Sequence, residues 1–266
     1  MKITVLANMK KDKNGDVLSM VQHAFEGKAE LKIVTDIITP EKLSGSDIAV
    51  ILGGDGTIIR AAKCAALAGV PVCGINLGKI GFLASADVEE ISALANNLLT
   101  SNYKLDKRMI LNASINGGAN RLVLNDIAVL RGSYPKMINI TMDVDGEHLD
   151  TFMADGIVVA TPTGSTAYSL SAGGPVAMPT MEMMLVTPVC AYDMHTRSMV
   201  LPSEKTLGIS LGKDRDFKAE VSFDGNENVL LSNNDIIKIS KSEYCAKLVN
   251  FGSRSFYGVL RKKLGR

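Results

Sequence analysis

An unbroken apolar run, Ile48-Ala49-Val50-Ile51-Leu52, passes directly into Gly53-Gly54-Asp55-Gly56-Thr57 and then into the alanine-rich stretch Ile58 to Ala68. A strand with no polar face must be covered on both sides, and helices on each face of a sheet supply that cover. Residues 1–100 repeat the same alternation. Ile3 to Asn8, Leu31 to Thr35, Asp47 to Leu52 and Pro71 to Ile75 read as strands. Asp16 to Phe25, Ile58 to Ala68 and Asp87 to Leu99 read as helices, with Gly69 stopping the second and Ser85 or Asp87 capping the third. Such alternation predicts a parallel, Rossmann-like sheet between helices.

Beyond residue 100 the texture changes. Short runs of Val, Ile, Leu and Thr are separated by turn signals at Asn116-Gly117-Gly118, Asp145-Gly146, Asp224-Gly225 and Asn233-Asn234-Asp235. Asp145-Gly146 between Ile138 to Val144 and Glu147 to Met153 predicts a hairpin. The expectation is an α/β N-terminal domain over residues 1–100 and a mostly antiparallel β domain over 101–249. The basic tail, 250–266, either packs back on the first domain or stays solvated.

Bulk composition narrows the function classes. At 46% apolar residues the chain can bury a full core without a metal or disulfide staple. Its 29 basic and 28 acidic residues leave a net charge of +1, which argues against a nucleic-acid binder. Apolar stretches such as Met181 to Val186 fall far short of the roughly 20 residues needed to span a bilayer. The N-terminal apolar run ends at Asn8-Met9-Lys10-Lys11 without a cleavage site and reads as a strand. Cys64, Cys73, Cys190 and Cys245 form no CxxC pair, so free, mostly buried thiols in the cytoplasm are expected. His23, His148 and His195 are too scattered for a histidine metal site.

Four segments carry the chemistry. In the Gly53–Gly56 turn, glycines expose backbone N–H groups at a helix N-terminus, where donors and helix dipole favour phosphate. Asp55 is out of place among such amides unless it holds a metal, abstracts a proton or accepts from a sugar hydroxyl. No GxxxxGK[ST] occurs, and Ile59 stands where a GxGxxG would need glycine, so P-loop and Rossmann fingerprints are both absent. Asn76-Leu77-Gly78-Lys79-Ile80-Gly81-Phe82-Leu83-Ala84 follows the next strand and lies on the same sheet edge. Asn125-Asp126 breaks the alternation of a β run, placing the pair at a strand end or bulge, where it either binds adenosine or caps a turn. Last, the buried strand Ile157 to Ala160 empties into Thr161 to Pro175, a loop of glycines and hydroxyls in which small side chains admit a flat ligand. Thr166 and Ser171 offer hydroxyls, and Tyr168 a stacking ring.

At these segments the sequence resembles the NAD kinase family, the ATP- or polyphosphate-dependent enzymes that phosphorylate NAD. The family's GGDG corresponds to Gly53 to Gly56. Its NxGxLGFL loop matches Asn76 to Leu83 with Ile80 in place of leucine. Its N-E/D pair is Asn125 and Asp126, and its DG…TPTGSTAYSLSAGGP segment matches Asp155 to Pro175 almost letter for letter. GGDG alone is shared with diacylglycerol kinases and phosphofructokinases; the long segment is specific.

The resemblance implies a fold of the phosphofructokinase/NAD kinase type and transfer of phosphate from Mg-ATP to the adenosine 2′-hydroxyl of NAD. Asp55 would be the general base, with Gly54 and Gly56 cradling phosphate and Arg60 compensating its charge. Asn125 and Asp126 would hold the adenosine or ribose, and Thr166, Ala167, Tyr168 and Ser171 would line the dinucleotide cleft between domains. Asp155 and Thr163 fall on ligand-contacting positions, and Lys136 and Asn226 are further matches. Mg²⁺ would come with the nucleotide and no protein metal ligand is expected. A homodimer or homotetramer in the cytoplasm is implied, with neither nucleic acid nor membrane as partner. Departures are Met153 where relatives carry arginine, and Ala191 and Tyr192 where they carry proline and histidine. The competing readings are a lipid or sugar kinase of the same superfamily, disfavoured by the polar Thr163 to Gly174 segment, and a non-catalytic dinucleotide-binding regulator.

Overall fold

The computed structural model describes residues 1–78, 81–133, 135–212 and 219–265. Two compact units emerge, Met1–Lys107 with Ala246–Arg266, and Arg108–Cys245.

In the first unit β1 (Lys2–Ala7), α1 (Asp16–Phe25), β2 (Glu30–Val34), the short α2 (Pro40–Leu43), β3 (Ile48–Gly53), α3 (Asp55–Ala68), β4 (Val72–Asn76), the two-residue β5 (Ala86–Asp87) and α4 (Ile91–Leu99) follow in turn. The strands pair in parallel in the order β2-β1-β3-β4. All six residues of β3 are buried. Because strand side chains alternate, Ile48, Val50 and Leu52 join Phe25 of α1 and Leu94 and Leu98 of α4 in one cluster. Ala49 and Ile51 are left for the opposite face, the side of the sheet that α3 covers. Gly69 ends α3 in the left-handed conformation at φ 73°, as its sequence position predicts. Two helix starts differ from expectation. Helix α3 begins at Asp55 itself, with Gly54 extended before it. The stretch expected to be helical from Asp87 opens instead with β5 and a 3₁₀ turn at Val88–Glu90. There the Asp87 N–H donates to Glu90 Oε2 at 2.8 Å, holding the chain in a turn before α4 starts.

The second unit is built from β6 (Lys104–Ile115), β7 (Arg121–Val123), β8 (Asp126–Leu130), β9 (Ile138–Val144), β10 (Glu147–Ala154), β11 (Gly156–Ala160), α5 (Tyr168–Ser171), β12 (Met183–Val189), β13 (Met199–Pro202), β14 (Leu207–Leu211), β15 (Ala219–Phe223), β16 (Asn226–Leu231) and β17 (Ile236–Asn250). One sheet runs β13-β12-β11-β8-β15-β16 with every pairing antiparallel. The other contains β10-β9-β14-β17, with β6 beside β17 and β7 beside β6. Ile127, Val129, Ile157 and Val159 from the first sheet share a core with Ile140, Met142, Ile209 and Ile239 from the second. The hairpin between β9 and β10 turns at Asp145 and Gly146, both at positive φ (54° and 85°), the conformation that an Asp-Gly pair adopts most easily.

The chain passes between the units within β6 and again within β17. The tail helix α6 (Phe256–Leu264) belongs to the first unit. The expectation of mostly buried thiols is corrected. All four cysteines are free, but Cys73 alone is buried, Cys64 and Cys245 are half-buried and Cys190 is exposed. Burial pushes the Cys73 thiol up to about 12, against a hydrogen bond from Ser85. Cys190 follows β12 at φ 49°, where the strand has ended and the side chain is exposed. Among the described residues no helix is long and apolar enough to cross a membrane.

Candidate active site

The glycine turn lies at the carboxyl end of β3, in register with the end of β4: Gly53 pairs with Asn76, and the Leu77 N–H donates to the Gly53 carbonyl at 3.1 Å. Both glycine loops therefore meet on one sheet edge, where open α/β sheets bind ligands. Asp55, the first residue of α3, is half-buried. Its carboxylate accepts from the backbone N–H of Phe82 at 2.9 Å and of Leu83 at 3.3 Å. A Cβ at position 81 would collide with this carboxylate, which is why the neighbouring residue is glycine. Gly53 is constrained in the same way by Thr57, whose hydroxyl accepts from Asn8 Nδ2 at 2.9 Å. Gly56 has open space around it, and Arg60 lies one turn further along the same exposed face of α3. Lys11 Nζ sits over Gly54, where an added Cβ would lie only 2.5 Å away. Lys79 and Ile80 of the second loop lie outside the described residues.

In the β unit, Asn125 immediately precedes β8 and Asp126 opens it, so the pair stands at a strand end. The segment after β11, expected as a loop, forms a 3₁₀ turn at Thr163–Thr166 and then α5. Tight backbone contact fixes the two segments together. The Thr161 N–H donates to the Asn125 carbonyl at 2.8 Å, and the Thr161 hydroxyl donates to the Leu124 carbonyl at 2.5 Å. A Cβ on Gly164 would overlap the Asn125 carbonyl. Asp126 is buried, and its pKa is pushed up to about 6 by that burial first and by the neighbouring Asp224 carboxylate second, against one hydrogen bond from the Tyr168 N–H. Tyr168 is partly exposed, and burial, Cys190, Asp126 and Asp155 all raise its hydroxyl above the ordinary value. Asp126, Asp155, Tyr168 and Cys190 thus share one electrostatic neighbourhood. Thr163 is buried, and its hydroxyl has no hydrogen-bond partner among the described residues. Thr166 and Ala167 are half-buried, and Ser171 is exposed at the end of α5.

Lys136 and Asn226 fit less closely. Lys136 is exposed between β8 and β9. The Asn226 amide turns back to the Asp224 carbonyl at 2.9 Å, as a turn residue does. Two supporting groups escaped the sequence reading. Asp224 accepts from the Leu124 and Asn125 amides at 3.1 and 2.7 Å, yet its only sequence signal was the glycine after it. Arg131 Nε donates to Asp155 at 2.7 Å, with nothing in the sequence to link the two. The departures Met153 and Tyr192 are neighbours: the Tyr192 N–H donates to the Met153 carbonyl at 2.8 Å.

Amide donors at a helix N-terminus, set beside one anchored carboxylate, equip a phosphotransferase that acts on an alcohol group. Residues 2–103 match the family model of the ATP-NAD kinase N-terminal domain, and residues 124–251 that of the ATP-NAD kinase C-terminal domain. The chain belongs to the NAD kinase family. It is similar to the NAD kinase of Natranaerobius thermophilus, at 39% identity over 82% of this chain and 78% of that protein. The NAD kinase of Ruminiclostridium cellulolyticum is 34% identical over 99% of this chain and 97% of its own. Among solved structures, an Archaeoglobus fulgidus NAD kinase in complex with ATP superposes with a TM-score of 0.76 at 28% identity, covering 98% of this chain and 99% of that one. Yeast NADH kinase complexed with NADH shares the fold at a TM-score of 0.87 and 23% identity, over 100% of this chain and 88% of that one.

Proposed function

We propose that Asp55 is the general base of this enzyme, which phosphorylates the 2′-hydroxyl of the adenosine ribose of NAD with ATP to give NADP and ADP. One observation carries the proposal: a carboxylate held by two backbone amides at the N-terminus of α3, next to glycine amides that can receive phosphate. The 2′-oxygen attacks the γ-phosphorus, the bond from that phosphorus to the bridging oxygen of ADP breaks, and the hydroxyl proton passes to Asp55. Gly54 and Gly56 present backbone to the phosphates, and Arg60, on the face of Gly56, offsets their charge. Position matters more than basicity in such a transfer, because its transition state is loose and little proton movement is needed early.

The dinucleotide is held by the β unit. Asp126, buried beside Asp224, is a carboxylate short of donors, and ribose hydroxyls supply them. Asn125 adds an amide edge, the orphaned Thr163 hydroxyl gains a partner, and Tyr168 offers its ring with Thr166, Ala167 and Ser171 beside it. Asp155, oriented by Arg131, completes the polar rim.

Among the described residues no group of three or more His, Cys, Asp or Glu gathers into a metal cage. The backbone N–H groups at the glycine turn suit phosphate oxygens and not a cation, and the one carboxylate is assigned as base, so the turn fits a magnesium ion that would arrive on the triphosphate, held by phosphate oxygens and waters with no protein ligand. Bound with ATP, the ion neutralises phosphate charge. A homodimer or homotetramer and a cytoplasmic location complete the proposal, with polyphosphate as the alternative donor to be tested against ATP. The deciding assay supplies NAD or NADH with Mg-ATP or polyphosphate and reads NADP or NADPH through an NADP-specific dehydrogenase. NAD binding without any NADP would leave a dinucleotide-binding regulator. Light scattering at the mass of one 28.4 kDa chain would remove the assembly.

A further inference from the structure

Asp55 is held by the loop at 81–83, and that loop is itself held from outside. The Phe82 ring packs on Phe256 of α6, with centroids 6.1 Å apart and planes at 44°. Lys263, two turns along the same face of α6 from Phe256, places its ammonium 4.8 Å from the centre of the same Phe82 ring. A few residues further along the loop, Arg254 pairs with Asp87 and with Glu90, the latter at 2.8 Å. Asp87 in turn accepts from Asn76 Nδ2 at 3.2 Å, and that amide also donates to the Gly78 carbonyl at 2.8 Å. The tail thus grips residues 82–87 at both ends, through an aromatic contact beside Asp55 and an ion pair beside β5. Ser255 caps α6 by accepting from the Gly258 N–H at 3.0 Å, which fixes where Phe256 leaves the helix.

No side chain of α6 is fully buried, so the helix adds little to the core that the rest of the unit already has. Two of its residues, Phe256 and Lys263, meet Phe82, in the loop whose amides orient the carboxylate. We infer that α6 is a positioning element for catalysis: Phe256, Lys263 and Arg254 hold the Phe82–Leu83 amides in place, and through them the Asp55 carboxylate. This rests on the reading of Asp55 as the base. The tail residues touch no reacting atom and act only through the loop. Loss of their grip lets the amides drift, and small misplacements of a reacting group cost rate steeply while leaving dinucleotide binding by the β unit untouched.

The experiment compares full-length wild type with Phe256→Ala, Phe256→Tyr and Arg254→Gln under saturating Mg-ATP. Wild-type turnover first establishes that NADP is made, so a dead wild type refutes the activity and not this inference. With an active wild type, Phe256→Ala should lower kcat about tenfold or more with KM for NAD within twofold, and Phe256→Tyr should recover most of it. A matching fall in kcat for Arg254→Gln, with faster hydrogen exchange at the Phe82 and Leu83 amides, supports the same link. If Phe256→Ala does not fold, the exchange measurement on Arg254→Gln decides. Unchanged kcat in a folded Phe256→Ala, or unchanged protection of both amides in Arg254→Gln, overturns the proposal.

Discussion

Two carboxylates in this chain are set up in opposite ways. Asp55 is given donors by the protein itself, whereas Asp126 is buried next to a second carboxylate and receives one backbone N–H. Replacing Asp55 with asparagine keeps the shape but turns an NH₂ group toward one of the two loop amides. We expect kcat to fall by at least about a hundredfold while NAD still binds; titration of NAD against the variant checks the second half, and wild-type turnover would remove Asp55 from the chemistry. For Asp126 the sign follows from its raised pKa. Between the unfolded value of 3.8 and the folded value of about 6, the folded chain holds more proton than the unfolded one. Stability contributed by this group is therefore present at low pH, declines as pH rises through that window, and is gone above it. Asp126→Asn should make the nucleotide-free protein more stable near pH 8, by about 2–3 kcal/mol at most. The stability difference from wild type should shrink as pH falls from about 6 to about 4, as urea unfolding at several pH values will show. The same variant should bind NAD more weakly, a stabilising change with a functional cost. A stability difference that does not vary with pH would mean that folding does not shift the titration of Asp126.

At the level of elements, the site depends on backbone approaching backbone. Strand β11 is buried on both faces, and the chain leaving it is tied to the start of β8 by Thr161 and by the absence of a side chain at Gly164. Gly164→Ala would force the 3₁₀ turn away from Asn125, and with main chain as the obstacle no rotamer change can relieve it. We expect a loss of about 1–3 kcal/mol in thermal or chemical unfolding together with weaker NAD binding; Gly56→Ala, with open space for its Cβ, is the control that should cost well under that in stability. The glycine turn, the Asn125-Asp126 pair and the segment after β11 were all visible as chemistry in the sequence, because each sets glycines, amides, carboxylates or hydroxyls against an apolar run. Their local form was less visible. Helix α3 starts three residues before the alanine run, since Gly54 can take the extended cap and Asp55 suits a first turn. Thr163 to Ser171 coils into two short helical turns that no apolar periodicity announces.

Across the whole molecule, each unit has its own apolar core, and the chain threads from one to the other inside β6 and β17. The residues of the β unit proposed to hold NAD include two that are uncomfortable without a ligand, the buried Asp126 and the Thr163 hydroxyl, which has no partner among the described residues. NAD should accordingly raise the thermal midpoint of the nucleotide-free protein. At a hundred times Kd the linkage amounts to about 2.7 kcal/mol, and calorimetry over a range of NAD concentrations reads it. A midpoint indifferent to NAD would deny the β unit its dinucleotide. By itself the sequence determined the alternation that makes a parallel sheet, the antiparallel β pattern that follows, and the segments proposed to carry phosphate and dinucleotide chemistry. Those are encoded in neighbouring residues, by strand period, glycine and hydroxyl content. What tertiary structure alone decided are pairings of residues far apart in the chain: Asp55 with the Phe82 and Leu83 amides, Asp224 with Leu124 and Asn125, Arg131 with Asp155, and α6 with Phe82. Local patterning carries no record of such pairings, because only folding brings a donor from one segment within 3 Å or so of an acceptor in another.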